Sequence, residues 1–263
     1  MLKLILGGSG SGKTTLLYQR IRACAEAGRP SILLVPEQFT SSTEGRIYRE
    51  LGDTLSGRVE SFSFTSLAER ILSAEGGTAV RTLTDAGRAV LVRRALEELQ
   101  DNVHYYYRHR RSAAFCELAA QTIDELKSAG LTGEELYALA QGCGAGSGKL
   151  TELALIFQGY ETLLAGTGMD PADRLELAAG QLESALAQGR LPAFLEGREV
   201  FIDEFDTFNA PKKRLLGALM SALPAVTVAL CDDGTPQVPG DLGLFSGAKQ
   251  VIRQLKQLAR VMF

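Results

Sequence analysis

Eight residues near the start of the chain have the types and spacing to hold a phosphate. Gly7-Gly8-Ser9-Gly10-Ser11-Gly12-Lys13-Thr14 fits the pattern G-x-x-x-x-G-K-[ST]. Glycines let the backbone turn so that successive N–H groups point inward at an anion. Lys13 can bring a positive charge to the β- and γ-phosphates of a nucleotide. The Thr14 hydroxyl can ligate Mg²⁺, with Thr15 beside it in the first turn of the helix that follows. The positive end of that helix adds to the anion site. The alternative is a Gly/Ser-rich turn that binds nothing.

A second pair of residues could complete such chemistry. Glu199-Val200-Phe201-Ile202 runs straight into Asp203-Glu204. An aspartate at the end of a buried strand can hold Mg²⁺ directly or through water. Glu204 next to it can orient and deprotonate an attacking water. Alone the pair also reads as an ordinary acidic turn. Together with the loop at 7–14 it reads as the second half of a nucleotide site. Glu37 and Gln38 follow another apolar run, and residues just past a strand's carboxyl end line the ligand crevice of a parallel sheet. They are candidates to lie near the phosphates or a nucleic-acid track, or else form a solvated turn.

The elements that must position these groups can be read from the apolar pattern. Short apolar runs bounded by Gly, Pro and polar residues predict strands at 2–6, 31–35, 58–62, 199–202 and 225–230. Helical spacing predicts helices at 14–27, 42–51, 67–72, 211–222 and 248–259, with Ser63 or Thr65 as a cap. Between 82 and 195 strand signals vanish and apolar residues recur at helical spacing only. The expectation is an α/β fold with a parallel sheet formed by residues 1–78 and 196–263, and an all-helical subdomain at 79–195 inserted between its strands.

Two stretches of the helical block invite chemical readings. His104-Tyr105-Tyr106-Tyr107-Arg108-His109-Arg110-Arg111 interleaves aromatic and basic residues, as single-strand binding does; it reads equally as a helix connection with a solvated basic face. Gly142 to Lys149 imitates a second phosphate loop. However, Cys143 stands where the first glycine belongs, Leu150 replaces the Ser/Thr, and no strand precedes it, so a connection between helices is expected.

Composition narrows the class. The chain has 263 residues, 45% hydrophobic, with a net charge of -3, so any nucleic-acid contact must come from local patches. Cys24, Cys116, Cys143 and Cys231 are scattered without a C-x-x-C pair, which fits free thiols in a reducing cytoplasm. The first strand starts at once, so no signal peptide is expected, and no apolar run approaches the ~20 residues of a membrane span.

With these residues in hand, the sequence resembles the N-terminal part of the AddB (RexB) family, subunits of a helicase–nuclease for double-strand-break repair. The shared stretches are LKLILGGSGSGKTT, ILLVPEQFT, VESFSFTSLAERIL, TIDELKSAGLTGEEL, KLTELALIFQGYETLL and VFIDEFDTFNAPKKRLLGAL, in that order over nearly the whole chain. The resemblance implies a RecA-like P-loop NTPase domain of the superfamily 1 helicase kind, binding ATP and Mg²⁺. It implies phosphate and Mg²⁺ roles for Lys13 and Thr14, Mg²⁺ and general-base roles for Asp203 and Glu204, and a γ-phosphate-sensing position near Gln237. It further implies a heterodimer with an AddA-like motor subunit, contact with DNA through the full-length protein, and a cytoplasmic location.

Several features depart from the pattern. The upstream glutamine motif, the second RecA-like domain with its arginine, and the C-terminal nuclease with its iron–sulfur cysteines have no counterpart here, so a piece of a longer protein is expected. The family often lacks an acidic residue where Glu204 stands, which keeps hydrolysis open. Without the second domain's arginine, turnover is expected to be slow or absent. Two other readings remain at this stage: a non-hydrolysing scaffold whose shape a nucleotide locks, and a small-molecule kinase. The adjacent Asp203-Glu204 pair argues against the kinase.

Overall fold

The computed structural model describes residues 1–76, 82–144, 147–236 and 243–262. Two compact units emerge. The first comprises Met1–Gly77, Leu175–Phe208 and Lys212–Phe263; the second comprises Thr78–Arg174 with Asn209–Pro211.

The first unit is an α/β layer structure. Its strands are β1 (Leu2–Gly7), β2 (Ser31–Leu34), β3 (Val59–Phe62), β4 (Glu199–Ile202) and β5 (Val226–Cys231). All pair in parallel, in the order β1-β5-β4-β2-β3. The central strands read as unbroken apolar runs because both faces of a parallel sheet are covered. Their side chains alternate between two cores. Ile32, Leu34, Val200, Ile202, Val226, Val228 and Leu230 enter one, while Ile5, Leu33, Phe201 and Ala229 enter the other.

Helices fill both faces, and the strand order explains which goes where. From β1 to β2 to β3 the chain moves toward one edge, through α1 (Lys13–Glu26) and α2 (Thr40–Ser56). Right-handed crossovers put both on the same face, where Leu17, Tyr18, Ile21, Ile47 and Leu51 are buried. From β3 to β4 to β5 it moves back, so α3 (Phe64–Ala74), the Leu175–Leu182 part of α8 (Pro171–Ala187), α9 (Ala210–Ala222) and α10 (Ser246–Met262) supply the opposite core. Neighbouring strands β1 and β5 are therefore followed by helices on opposite faces. Their connections part at the carboxyl ends and leave a crevice, as at the switch point of an open parallel sheet.

Start and stop signals are local. Ser63 caps α3 and completes a reciprocal capping box with Ser66, so Thr65 is not the cap. α2 begins at Thr40, earlier than the spacing predicts, behind a 3-10 turn at Glu37–Phe39, and it kinks at Gly52 (φ 74°).

The second unit holds α4 (Asp85–Glu98), α5 (Ala113–Ala129), α6 (Gly133–Gly142) and α7 (Ser147–Ala165). Leu91, Val92, Leu96, Ile123, Phe157 and Tyr160 form its core. A buried polar cluster sits among them. Lys127 Nζ donates to Asp170 and to Asp173, each at 2.9 Å, and the Tyr160 hydroxyl donates to Asp170 Oδ1 at 2.7 Å. Satisfying Asp170 from two sides is what permits a carboxylate only 1% exposed.

Candidate phosphate-binding site

β1 delivers the glycine-rich loop to the crevice. Gly7 closes the strand, its carbonyl accepting from the Asp232 N–H at 3.1 Å. Gly10 (φ 71°) and Gly12 (φ 86°) take left-handed backbone, which costs a residue with Cβ about 1–2 kcal/mol. Gly12 is the N-cap of α1; no side chain caps this end and its first turn carries no acidic residue. The positive end of α1 thus faces the loop without a built-in anion. Lys13 turns back, Nζ donating to the Gly8 carbonyl at 2.7 Å.

β4 delivers the acids to the same crevice. The Asp203 N–H donates to the Leu34 carbonyl at 3.1 Å, extending the strand pairing by one residue. Asp203 is 7% exposed. Burial pushes its carboxyl above the usual aspartate range. The Thr14 hydroxyl, the Glu204 N–H, Arg46 and Lys13 oppose that shift by favouring the carboxylate. The Glu204 N–H lies 3.0 Å from Asp203 Oδ1. Glu204 itself has φ 64°, the one positive-φ non-glycine residue among the described residues. Such strain costs on the order of 1–3 kcal/mol and collects at functional sites.

Loop and acids share one cleft of about 430 Å³. Ser9, Gly10, Lys13, Thr14, Asp203 and Glu204 line it. Gln38, carried by the 3-10 turn, lines it too, with Phe39 and Phe205 as apolar walls. Gln237 lies outside the described residues. Arg46 on α2 escaped the sequence reading. It stacks 4.9 Å over the Tyr18 ring and, with Asp203 and Glu204, lines a second cavity of about 240 Å³. Its charge and that of Asp203 are felt at the buried Tyr18 hydroxyl, whose pKa burial raises to about 12.

The donors present suit a hard cation held partly by phosphate. One hydroxyl, Thr14, and one carboxylate, Asp203, line the cleft, and Mg²⁺ takes few protein ligands beside substrate oxygens and water. Among the described residues, no group of three or more His, Cys, Asp or Glu forms a metal cage. The four cysteines are free thiols.

The aromatic–basic stretch at 104–111 is organised from within. Glu152, 8% exposed, accepts the backbone N–H groups of His104, Tyr105 and Tyr106 at 2.8–3.1 Å. Tyr106 stacks on Phe115 at 5.5 Å, and Arg110 lies 4.0 Å over Tyr107. Those rings already have partners. The imitation loop lies between helices: α6 ends at Gly142 and α7 starts at Ser147.

Fold and crevice together define a parallel α/β protein of the broad kind that includes Rossmann and RecA-like domains. Within that class, the chain belongs to the AddB N-terminal family, whose model, described as ADDB, N-terminal, matches residues 4–262. It is 34% identical to an ATP-dependent helicase/deoxyribonuclease subunit of Moorella thermoacetica, over 98% of this chain and 23% of that protein. The subunits of the same name from Heliobacterium modesticaldum and Geobacillus thermodenitrificans are 33% and 31% identical, over 98% of this chain and 21% and 23% of theirs. The chain therefore spans less than a quarter of the length of these relatives. Among the described residues, no helix is long and apolar enough to cross a membrane.

Proposed function

We propose that the first unit is a RecA-like P-loop NTPase domain that binds Mg-ATP, with the helical subdomain inserted between its strands. In this reading it serves an AddB-type helicase–nuclease subunit that acts in DNA double-strand-break repair, paired with an AddA-like subunit. The relatives' name, an ATP-dependent helicase/deoxyribonuclease subunit, supports the helicase–nuclease part of that role. The observation that carries the nucleotide reading is the meeting of Thr14 and Asp203. A loop after β1 and an acid after β4 are two strands apart, yet the Thr14 and Asp203 side chains line one cleft.

Each residue then has a task. Backbone N–H groups of the Gly7–Gly12 loop and the first turn of α1 cradle the phosphates, and Lys13 leaves the Gly8 carbonyl to meet the β- and γ-oxygens. Thr14 and Asp203 hold Mg²⁺, which neutralises phosphate charge when bound. Glu204, its backbone held by Asp203, positions and deprotonates water. Gln38 and Gln237 are proposed to contact the nucleotide. A transition-state arginine brought from elsewhere is worth on the order of 10³–10⁵ in rate, so this chain alone turns ATP over slowly.

Calorimetric titration with Mg-ATP of the wild type and of Lys13→Ala tests the reading. The wild type binds and the variant does not. At about 100 times its dissociation constant, ATP adds about 2.7 kcal/mol to the wild type, and a thermal shift reads that out independently. Equal binding by the two proteins, or none by the wild type, overturns it.

A further inference from the structure

The far end of α1, away from the phosphate loop, borders a cavity that takes no part in the nucleotide site. It has a volume of about 590 Å³. Lys3 of β1, Thr227 of β5 and Glu199 of β4 reach it from the amino end of the sheet. Side chains alternate along a strand, so these three share the face on which Ile5, Ala229 and Phe201 are buried with α1. Arg20, Ala23 and Cys24 reach it from α1, at i, i+3 and i+4 on one side of the helix. Arg29, two residues before β2, closes the remaining side.

The charges here are held in place. The Glu199 side chain is 9% exposed. A carboxylate so buried needs partners. Its Oε1 takes Arg29 at 2.8 Å and its Oε2 lies 3.7 Å from Lys3. One buried acid thus draws two cations, from separate segments, to a single cavity. Arg29 also donates to Cys24 Sγ at 3.7 Å. Burial pushes the Cys24 thiol up, so it stays neutral beside the cations. Arg20 has no carboxylate partner among the described residues. Glu199 is the one acid among the described residues that line the cavity, so Lys3, Arg20 and Arg29 leave it a formal charge of +2 in a chain of net charge -3.

We propose that this cavity binds a small phosphorylated molecule, with its phosphoryl group on Arg20, Arg29 and Lys3 and its organic body along Leu4 and Ala23. A phosphate monoester brings nearly two negative charges at pH 7 and three acceptor oxygens, which matches a formal +2 and three cationic side chains. A carboxylate brings one charge and two oxygens. Guanidinium groups also meet phosphate oxygens in pairs. The volume lies in the range that takes a small organic ligand, and so does the mixture of an apolar wall with a few convergent polar groups. Free phosphate fills only a small part of such a space and leaves Leu4 and Ala23 uncovered. The nucleotide reading of the Gly7–Thr14 loop is not needed for this one, because the two sites share no residue.

Calorimetric titration of the full chain with phenyl phosphate, without ATP, tests the proposal. Phenyl phosphate joins one phosphoryl group to one apolar ring. Hydrogen bonds to a charged partner are the strong ones, so Arg20→Gln binds it about 10- to 100-fold more weakly. Lys3→Gln loses about 10-fold and serves if Arg20→Gln misfolds. Ala23→Trp fills the cavity without changing its charge; it loses the ligand and keeps its thermal midpoint, because Ala23 is exposed. Lys13→Ala binds phenyl phosphate like the wild type, which separates this site from the loop. Phenyl sulfate has the same shape with one charge and binds more weakly, as does inorganic phosphate, which lacks the ring. The proposal is overturned if Arg20→Gln and Ala23→Trp leave affinity unchanged, if Lys13→Ala abolishes binding, if phenyl sulfate or inorganic phosphate binds as tightly as phenyl phosphate, or if the wild type binds none of them.

Discussion

Two glycines of the loop are needed for different physical reasons, and a mutational cycle separates them. A Cβ on Gly12 meets nothing within 4 Å, but its φ of 86° is left-handed. Gly12→Ala therefore costs about 1–2 kcal/mol in torsion, offset by about 0.4–1 kcal/mol from a stiffer unfolded chain. The net loss is about 1 kcal/mol. Gly7 has no positive φ, yet a Cβ there stands 2.5 Å from Ser11 Oγ and 3.2 Å from Ser11 Cβ. Gly7→Ala therefore overpacks the loop, at about 1–3 kcal/mol. Removing the Ser11 side chain relieves the clash, so Gly7→Ala and Ser11→Gly couple by about 1 kcal/mol or more, while Gly12→Ala and Ser11→Gly do not. Urea unfolding monitored on the sheet-bearing unit gives the four corners of each cycle. Mg-ATP calorimetry adds the functional arm: Gly7→Ala weakens binding and the double variant recovers part of it. A Gly7→Ala protein as stable as the wild type, or coupling of Ser11→Gly to Gly12→Ala instead, refutes the steric assignment.

Other outcomes follow from the same geometry. Because burial raises the Asp203 pKa, the protonated form is favoured by folding. That contribution is fully present below the unfolded aspartate value near 3.9 and is lost as pH rises through the folded value. Asp203→Asn accordingly raises the thermal midpoint at pH 7–8, matches the wild type below about pH 4 and abolishes the Mg-ATP shift; a lowered midpoint at pH 7.5 contradicts this. Glu152→Ala strands three N–H donors on partly exposed backbone, where water replaces part of each bond, at about 1 kcal/mol apiece. Urea titration of the helical unit shows a loss of about 3 kcal/mol, with Glu152→Gln near half of it; a loss below about 0.5 kcal/mol rules out the anchoring role. ATP with EDTA binds at least about tenfold more weakly than Mg-ATP in calorimetry, since Asp203 and Glu204 then face phosphate with no cation between them; equal affinities count against the Mg²⁺ assignment.

Much of this was legible in the sequence, and the reasons are particular. β2, β4 and β5 are buried on both faces, so their apolar runs stand out from the flanking Pro, Gly and acids. The strand order was not, because nothing in residues 225–230 says that β5 slips between β1 and β4. The apolar stripe from Leu175 spells a packing face but not the core that receives it; Leu175, Ala178, Ala179 and Leu182 pack with the sheet. The loop and Asp203-Glu204 were legible as patterns. Arg46 was not, since it lies mid-helix and acquires meaning only when α2 packs beside α1 and sets it over Tyr18. Glu152 did leave a signal: it stands four residues before Ile156 on the buried stripe of α7, where a carboxylate needs partners.

The hydrogen bonds within the site bear on how tightly it can bind. Lys13 donates to Gly8, and Glu204 to Asp203 through its backbone. A phosphate must exchange for the first, and an exchange returns only about 0.5–1.5 kcal/mol per neutral bond, or 1.5–3 with a charged partner. What such a ligand adds is charge. Over the two cavities Lys13, Arg46 and Arg49 balance Asp203, Glu204 and Asp206, so the crevice is formally neutral and favours neither a lone anion nor a lone cation. A phosphate that arrives with its own divalent ion meets opposite charges already set apart, the lysine and helix end on one side and the buried carboxylate on the other. That separation is built by strand order: β5 stands between the strand that carries the loop and the strand that carries the acids.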